Sequence, residues 1–524
     1  MMMVMVILLA AAAAMGLARA LKLPSVPLVL IAGIGLAASG VVDDPAMMQD
    51  VLVLGLTFLV FAAGVELSPQ RVGAQRMAAV KVGVAQFFIV AAVGVLGARG
   101  VGLTWVESLY VGLAVTASST LVVVRLLQQR RQLFEPFGRL VLGVLLLQDV
   151  LIIALIAAVG RVDDGPIAIA LAVAGTILLV GLAWLAARYL VPRLLLGQNM
   201  DEETLLVMVL AILFAFVGAS QWMGVPLVAG AFLGGVSLSA FPVNGVVRGQ
   251  LASLNDFFMA VFFVTLGATL TWPGITLLLA AVVVAALVLL ATPPLVYLVA
   301  RRAGLSARSS VESGLLLAQT SEFSLIIALV GVEQNQLPDT MLVVIAIVTV
   351  ATMMLTPLIA TDAVTWRLMR WIGWRRRLDV THPPRDHVLL LGCGENGMKL
   401  LKRLVAHGHT IVVVDDDAGV IERVEQLGVT GIRGDGADPA VLNAAGASHA
   451  RVIVSTLRRL QDNESLLSVV RDVPVFVRVF APEEARRLEA AGGKPMLESE
   501  AATIEFLKWY DATFPPQHPP KTNA

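Results

Sequence analysis

Charge is scarce in this chain. Only 15% of its residues are charged, where a soluble globular protein usually carries about 25%, and that shortage excludes a simple soluble enzyme. Cysteine is nearly absent. Cys393 is the only one, which excludes an intramolecular disulfide and a cysteine-based metal cluster. Net charge is +0, so there is no global basic or acidic field and no nucleic-acid partner is expected. No basic segment precedes the first apolar stretch. Residues 3–18 therefore read as a first membrane helix, not as a cleaved signal peptide.

What is present is apolar: 58% of 524 residues, with a mean hydropathy of +0.84. Cut into soluble domains of roughly 150 residues, such a length would give three or four. The apolar excess instead puts most of the chain in a bilayer, where each helix needs about 20 apolar residues. About 13 such runs are expected, centred near Leu9, Ile31, Leu59, Phe88, Val115, Leu147, Ile177, Leu210, Phe232, Val264, Val284, Ile326 and Ile347. The loops between them alternate in charge. Arg19 and Lys22, then Arg71 and Arg76, then Arg125, Arg130, Arg131 and Arg139 follow odd-numbered runs. So do Arg188 and Arg193, Arg248, Arg301, Arg302 and Arg308, and the cluster Arg367, Arg370, Arg375, Arg376 and Arg377. Asp43, Asp44, Asp163 and Asp164 lie in the other set of loops, which holds only Arg99 and Arg161 as basic exceptions. By the positive-inside rule the odd runs exit into the cytoplasm, with the N-terminus outside and the C-terminal region inside.

From about Arg385 the pattern changes. HVLLL (387–391), a helix from about Gly397 to Ala406, IVVVD (411–415), VIVST (452–456) and VFVRVF (475–480) alternate strands with helices. That alternation predicts a parallel sheet covered on both faces. The division read from composition is a membrane domain at 1–368, a cytoplasmic linker at 369–384, a Rossmann-like domain at 385–510 and a disordered, proline-rich tail at 511–524.

The strongest chemical signal is Asp149, in GVLLLQDVLIIALIA. A carboxylate at the centre of a membrane helix costs about 2.5–3.5 kcal/mol on insertion scales, so it normally lines a water-filled cavity and handles ions or protons. Low-dielectric surroundings disfavour the charged form of a carboxyl, which is what lets one group exchange a proton for a cation. Pairing with a basic neighbour is the structural alternative. Gln148 adjoins it, offering an oxygen to a cation or a hydrogen bond to another helix. Thr116, Ser118, Ser119 and Thr120 interrupt run five, and Gln319, Thr320, Ser321 and Glu322 interrupt run twelve. Such hydroxyls either satisfy a broken backbone and ligate a bare cation, or bond back to the preceding turn. A polar-interrupted helix in each half is the pointer to facing broken helices in a transporter. Glu322 either balances charge near the site or pairs structurally. Glu66, at the cytoplasmic end of run three, reads as a cap or interface residue ahead of an ion-path role, and Lys81 as a side chain that reaches the surface.

Gly392, Gly394 and Gly397 form G-x-G-x-x-G, with Glu395 and Asn396 as the x-x pair. The motif follows a strand, opens a helix and is followed by Asp415 at the end of the next strand, which is the context a dinucleotide fingerprint requires. Glycines let the backbone approach phosphate, and the helix N-terminus supplies N–H donors. Asp415 suits ribose hydroxyls and repels a 2′-phosphate, so NAD(H) or an AMP-type adenine nucleotide is expected over NADP. An assembly domain without nucleotide is the alternative. Cys393 fits a tight turn or, less simply, a redox sensor.

These pieces together resemble the monovalent cation:proton antiporter-2 family, specifically its Kef-type potassium/proton antiporters. The matching segments are GVELSPQR (64–71), TASST (116–120), GRLVLGVLLLQD (138–149), VAGAFLGGV (228–236), FFVTLGATL (262–270) and AQTSEF (318–323). GCGENG (392–397), VVVDDD (412–417) and GDGADPAVLNAAGA (434–447) resemble the N-terminal lobe of a potassium-conductance-regulating (RCK, TrkA-N) domain and bring Asp435 into the nucleotide set. The resemblance spans about residues 1–490 and implies a homodimer with a sodium/proton-antiporter-like inverted-repeat fold. It implies that Asp149 carries the cation and the proton in turn, that Ser119 helps ligate the dehydrated cation, and that one titrating carboxylate beside Gln148 makes exchange electroneutral. Glutathione-gated members have Arg where this chain has Glu395. That removes a cation at the place expected for an anionic tripeptide, so glutathione gating is not carried over, whereas nucleotide gating is. The chain ends soon after this lobe, and a longer C-terminal extension is expected to be absent.

The reading is a potassium/proton antiporter of the bacterial inner membrane, a secondary transporter and not an enzyme. A sodium/proton exchanger of the same fold is the nearest alternative. A nucleotide-gated potassium channel would need a TVGYG-type filter, which is missing. An NAD-dependent oxidoreductase would need a catalytic set that His387, His407 and His409 do not form.

Overall fold

The computed structural model describes residues 2–21, 23–39, 45–66, 76–130, 132–133, 136–162, 164–195, 201–239, 243–270, 274–305, 307–373, 384–457, 459–498, 500, 503 and 507–509. The tail at 511–524, most of the linker, and Lys22, Asp43, Asp44, Arg71, Arg131, Asp163 and Arg375–Arg377 lie outside them. The chain divides into two units, 1–303 with 309–365, and 304–308 with 366–524.

Among the described residues, the regular elements of the first unit are all helices. Its helices are α1 (Met2–Leu21), α2 (Ser25–Ser39), α3 (Pro45–Glu66), α4 (Arg76–Gly100), α5 (Trp105–Thr116), α6 (Thr120–Gln129), α7 (Pro136–Val159) and α8 (Pro166–Leu185). A π-helical turn at Ala186–Leu190 leads into α9 (Val191–Leu195). Then come α10 (Glu202–Trp222), α11 (Leu227–Ser237), α12 (Val243–Thr269), α13 (Ile275–Arg302), α14 (Ala307–Leu317), α15 (Glu322–Glu333) and α16 (Asp339–Ile359). Among the described residues, ten spans are long and apolar enough to cross a membrane, and three shorter apolar helices accompany them. Each expected run centre falls in one of these thirteen. An 18-residue stretch of Ala307–Glu333 is 94% buried and one of Pro166–Leu194 only 17%, so the former is interior and the latter faces outward, with Ile167 and Leu171 exposed.

Helices meet at glycines in several places, among them α4 and α5 at Gly94 and Gly112. A methyl group on Gly33 of α2 would sit 2.8 Å from the Cα of Gly267 on α12, and one on Gly235 of α11 would sit 3.0 Å from the Cα of Gly64 on α3. Only small residues allow backbones to pack so closely, the usual solution where lipid offers no hydrophobic drive between helices. Both basic exceptions in the loop pattern are occupied locally. Arg99 lies 4.9 Å over the Trp105 ring, and Arg161 pairs with Asp164 at 3.0 Å.

α17 (Asp362–Gly373) precedes the second unit's sheet. That unit contains β1 (Val388–Leu391), α18 (Glu395–Ala406), β2 (Ile411–Asp415), α19 (Ala418–Gln426), β3 (Thr430–Arg433), α20 (Pro439–Ala444), β4 (Val452–Ser455), α21 (Leu460–Val469), β5 (Val475–Val479), α22 (Pro482–Ala490) and β6 (Lys494–Leu497). The six strands run in the order β3-β2-β1-β4-β5-β6, every pair parallel, with Val388 opposite both Ile411 and Val452. This is the doubly wound order, whose ligand crevice lies at the switch point beyond the carboxyl ends of β1 and β4. Two strands escaped the sequence reading. β3 (TGIR) and β6 (KPML) lack the continuous apolar run of β1 because neither is fully buried.

Candidate functional site

Asp149 sits near the middle of the 24-residue α7 and is only 6% exposed. Two interrupted helices converge on it. α5 ends at Thr116, Ala117 and Ser119 are extended, and α6 restarts at Thr120. α14 ends at Leu317, Ser321 is extended (φ −128°, ψ 175°), and α15 restarts at Glu322. A break in a buried helix strands N–H and C=O groups that have no water to turn to. Here the breaks satisfy each other. Ser118 Oγ donates to the Leu317 carbonyl at 2.9 Å, and Ser324 Oγ donates to the Ala114 carbonyl at 2.6 Å. The hydroxyls that crowd runs five and twelve are thus the groups that make breaking affordable.

The remaining bonds separate ligand candidates from struts. Thr116 Oγ1 bonds back to the Leu113 carbonyl at 2.7 Å and serves its own helix. Ser119 caps α6, accepting from Val122 N at 3.3 Å, and donates to Glu322 Oε2 at 3.1 Å. Ser321 caps α15, accepting from Phe323 N at 3.0 Å. The Thr320 hydroxyl is 3.1 Å from those of Thr349 and Thr352 on α16, and Gln319 Nε2 donates to the Leu316 carbonyl at 3.3 Å. Gln148 is wholly buried. Its Oε1 accepts from Ser118 N at 3.3 Å, and its Nε2 donates to Gln86 Oε1 on α4.

What faces open space is a smaller set. A cavity of about 190 Å³ is lined by Asp149, Thr120, Glu322 and Glu66, with Arg248 and Asn255 among the others. Thr120 shares this lining with Asp149. Glu322 opens α15, where the positive end of the helix favours an anion. A wider cavity of about 720 Å³ shares Glu66, Thr120 and Gln128 with it and is lined further out by Arg19, Arg125, Arg130 and Asp256. Of the residues singled out from sequence, Asp149, Thr120 and Glu322 share one cavity and Ser119 reaches it through Glu322. Thr116, Ser118 and Ser321 are tied to backbone. Lys81 is exposed on α4. Sequence reasoning passed over Gln86, an amide inside an apolar run just as Gln148 is. For Glu66 it preferred a cap or interface residue to an ion-path role. Its carbonyl does accept from Arg248, yet Glu66 lines both cavities.

In the second unit the glycine-rich loop lies between β1 and α18. Gly392 has φ +80°, which a side chain would strain, and a methyl group on Gly397 would meet the Gly392 carbonyl oxygen at 2.7 Å. In front of Gly394 a methyl group would meet nothing within 4 Å. The loop is therefore closed where it must pack and open where a phosphate would approach. Asp415 organises it. Its Oδ2 accepts from Cys393 N at 2.6 Å and its Oδ1 from Asp417 N at 2.9 Å. Each oxygen keeps a lone pair for a ribose hydroxyl. Burial pushes the Asp415 carboxyl up and these two N–H donors pull it down. Thr456 Oγ1 closes the far side by donating to the Gly392 carbonyl at 2.9 Å. Asp435 Oδ1 accepts from Ala437 N at 3.0 Å and holds the turn after β3. The side chains of Glu395 and Asn396 lie outside the described ones. Cys393 lacks the lowered pKa that a reactive thiolate needs. Burial, then the neighbouring Asp415, pushes its thiol up to about 11.

Residues 4–366 match the family model described as sodium/hydrogen exchanger, transmembrane, and residues 388–496 match the TrkA-N domain. The glutathione-regulated potassium-efflux system protein KefC of Salmonella schwarzengrund is 26% identical over 503 residues, spanning 91% of this chain and 79% of that protein. A putative cation/proton antiporter of Escherichia coli K12, YbaL, is 24% identical over 515 residues, 91% of each. The sodium proton antiporter MjNhaP1 of Methanocaldococcus jannaschii superposes with a TM-score of 0.54 at 15% identity, over 70% of this chain and 99% of that one. That last likeness concerns the fold.

Proposed function

The chain belongs to the sodium/hydrogen exchanger family, and from that premise we propose that this cation/proton antiporter exchanges potassium for protons, with Asp149 as the carrier. One observation carries the reading. Asp149 is a buried carboxylate in an apolar helix, it faces a cavity at the junction of two broken helices, and that cavity shares lining with a wider one. Deprotonated Asp149 would bind a cation, with Thr120 as a neutral oxygen beside it. Protonation would release the ion on the other side. Glu322, bonded to Ser119 at the mouth of α15, would stabilise the positive cargo without crossing. One titrating group per ion makes the exchange electroneutral.

The wider cavity is lined by Arg19, Arg125 and Arg130, which the positive-inside rule assigns to the cytoplasm. The conformation is then inward-facing, the N-terminus periplasmic and the second unit cytoplasmic in a bacterial inner membrane. The relatives named for potassium efflux and cation/proton exchange support the ion class. The TrkA-N domain, with its open loop at Gly394 and its carboxylate at Asp415, supports regulation by NAD(H) or an AMP-type nucleotide. A homodimer follows from the family resemblance.

Ion-driven proton movement in proteoliposomes tests the reading, with potassium and sodium compared and with and without a protonophore. Exchange that favours potassium and does not stall through charge build-up is the expected result. Preference for sodium moves the chain to the sodium/proton alternative. Exchange that builds a membrane potential removes electroneutrality, and no exchange with either ion removes the proposal.

A further inference from the structure

The Asp149 site has a polar backing that its ion chemistry does not use. Gln86, 1% exposed on α4, and Gln148, fully buried on α7, form one chain of hydrogen bonds through both helix breaks. Gln86 Oε1 accepts from Gln148 Nε2, Gln148 Oε1 accepts from Ser118 N at 3.3 Å, and Ser118 Oγ donates to the Leu317 carbonyl at 2.9 Å. The direction of this chain is forced. A backbone N–H only donates, so the oxygen of the Gln148 amide must face the break. Its NH₂ then faces away and needs an acceptor, and Gln86 presents one. Neither glutamine lines the cavity that holds Asp149 and Glu322.

We infer that Gln86 is a positioning residue of the exchange site, holding the Gln148 amide so that it caps the stranded Ser118 N–H instead of ligating the cation. This rests on the exchange reading above. Gln148 is the residue next to Asp149, so the same bonds hold the carrier helix in register with the break in α5 and α6. Without Gln86 the Gln148 amide loses the partner that sets its rotation, and the Ser118 N–H is intermittently left bare.

The test uses the full-length chain in two readouts. In hydrogen–deuterium exchange, Gln86→Met and Gln148→Met should each raise uptake in the peptide that contains Ser118. Gln86→Glu, which keeps an acceptor oxygen at the same reach, should leave uptake as in the unaltered chain. In proteoliposomes, Gln86→Met and Gln148→Met should each lower the maximal exchange rate about tenfold, the scale of one lost buried hydrogen bond. The KM for the cation should stay within about twofold, and the double variant should be no slower than either single one, because both remove the same link. Unchanged uptake at Ser118 in Gln86→Met overturns the inference. So do effects that multiply in the double variant, or a raised KM at an unchanged maximal rate, which would make the amides cation ligands. If the unaltered chain moves no protons in response to either cation, it is the exchange reading that fails, and deuterium uptake still decides the role of Gln86.

Discussion

TASST and AQTSE interrupt two apolar helices in much the same way, yet the two breaks are held differently. The second is anchored mainly to its own side. Thr320 packs its hydroxyl against Thr349 and Thr352 of α16, and Ser321 and Ser324 cap α15 reciprocally. The first has no comparable threonine bracket. Its Ser118 N–H depends on Gln148, from the helix that carries Asp149, and through it on Gln86. A break fastened to a neighbouring scaffold helix can stay put. A break fastened to the helix of Asp149, the proposed carrier, registers whatever happens there. The contrast suggests one fixed half-site and one responsive half-site.

The largest expected effect breaks the carrier itself. Asp149→Asn should lose exchange altogether while the protein purifies with an unchanged elution volume, and retained transport would end the mechanism. Glu322→Gln, on the fixed side, should slow exchange about tenfold, the scale of a charge-assisted hydrogen bond, and leave it insensitive to membrane potential. Loss as complete as for Asp149→Asn would make the two half-sites equal partners. Next come the reciprocal serines. Ser324→Ala should destabilise the protein by about 1–3 kcal/mol, since it strands both the Ala114 carbonyl and the Ser321 N–H. Ser118→Ala should cost less, because it strands one carbonyl. Thermal unfolding in detergent ranks the pair, and the reverse order would contradict the contrast.

The glycine-rich loop extends the comparison to a third interruption, fastened by one carboxylate. Asp415→Asn loses a charged acceptor for the Cys393 and Asp417 N–H groups and should weaken adenine nucleotide binding about fivefold by calorimetry, with exchange in nucleotide-free liposomes unchanged. This is the smallest effect, since backbone donors remain.

Much of this was legible because it follows from composition and local chemistry. Long apolar runs have to become helices in lipid, where every backbone group must be satisfied internally. A lone carboxylate at mid-run marks a cavity, a polar cluster at mid-run marks a break, and a strand, G-x-G-x-x-G and an acidic strand end mark a crevice. β3 and β6 were not legible because half-buried strands lack a continuous apolar signature. Gln86 was not legible either. An isolated amide in an apolar run has no periodicity, and its partner lies 62 positions away. For Gln148 the sequence left open an ion contact or a hydrogen bond to another helix, and for Ser118 a cation ligand or a bond to backbone, because residue type and spacing carry no direction.

The sequence by itself determined that this chain is a membrane protein with two helix breaks, two deep carboxylates and a nucleotide-type loop. Those features depend on residue type and on spacing along the chain. Only the tertiary structure decided which polar groups face the cavity and which spend their hydrogen bonds on stranded backbone. That choice is made by neighbours from other helices, because a buried donor takes the acceptor within reach, wherever in the chain that acceptor lies.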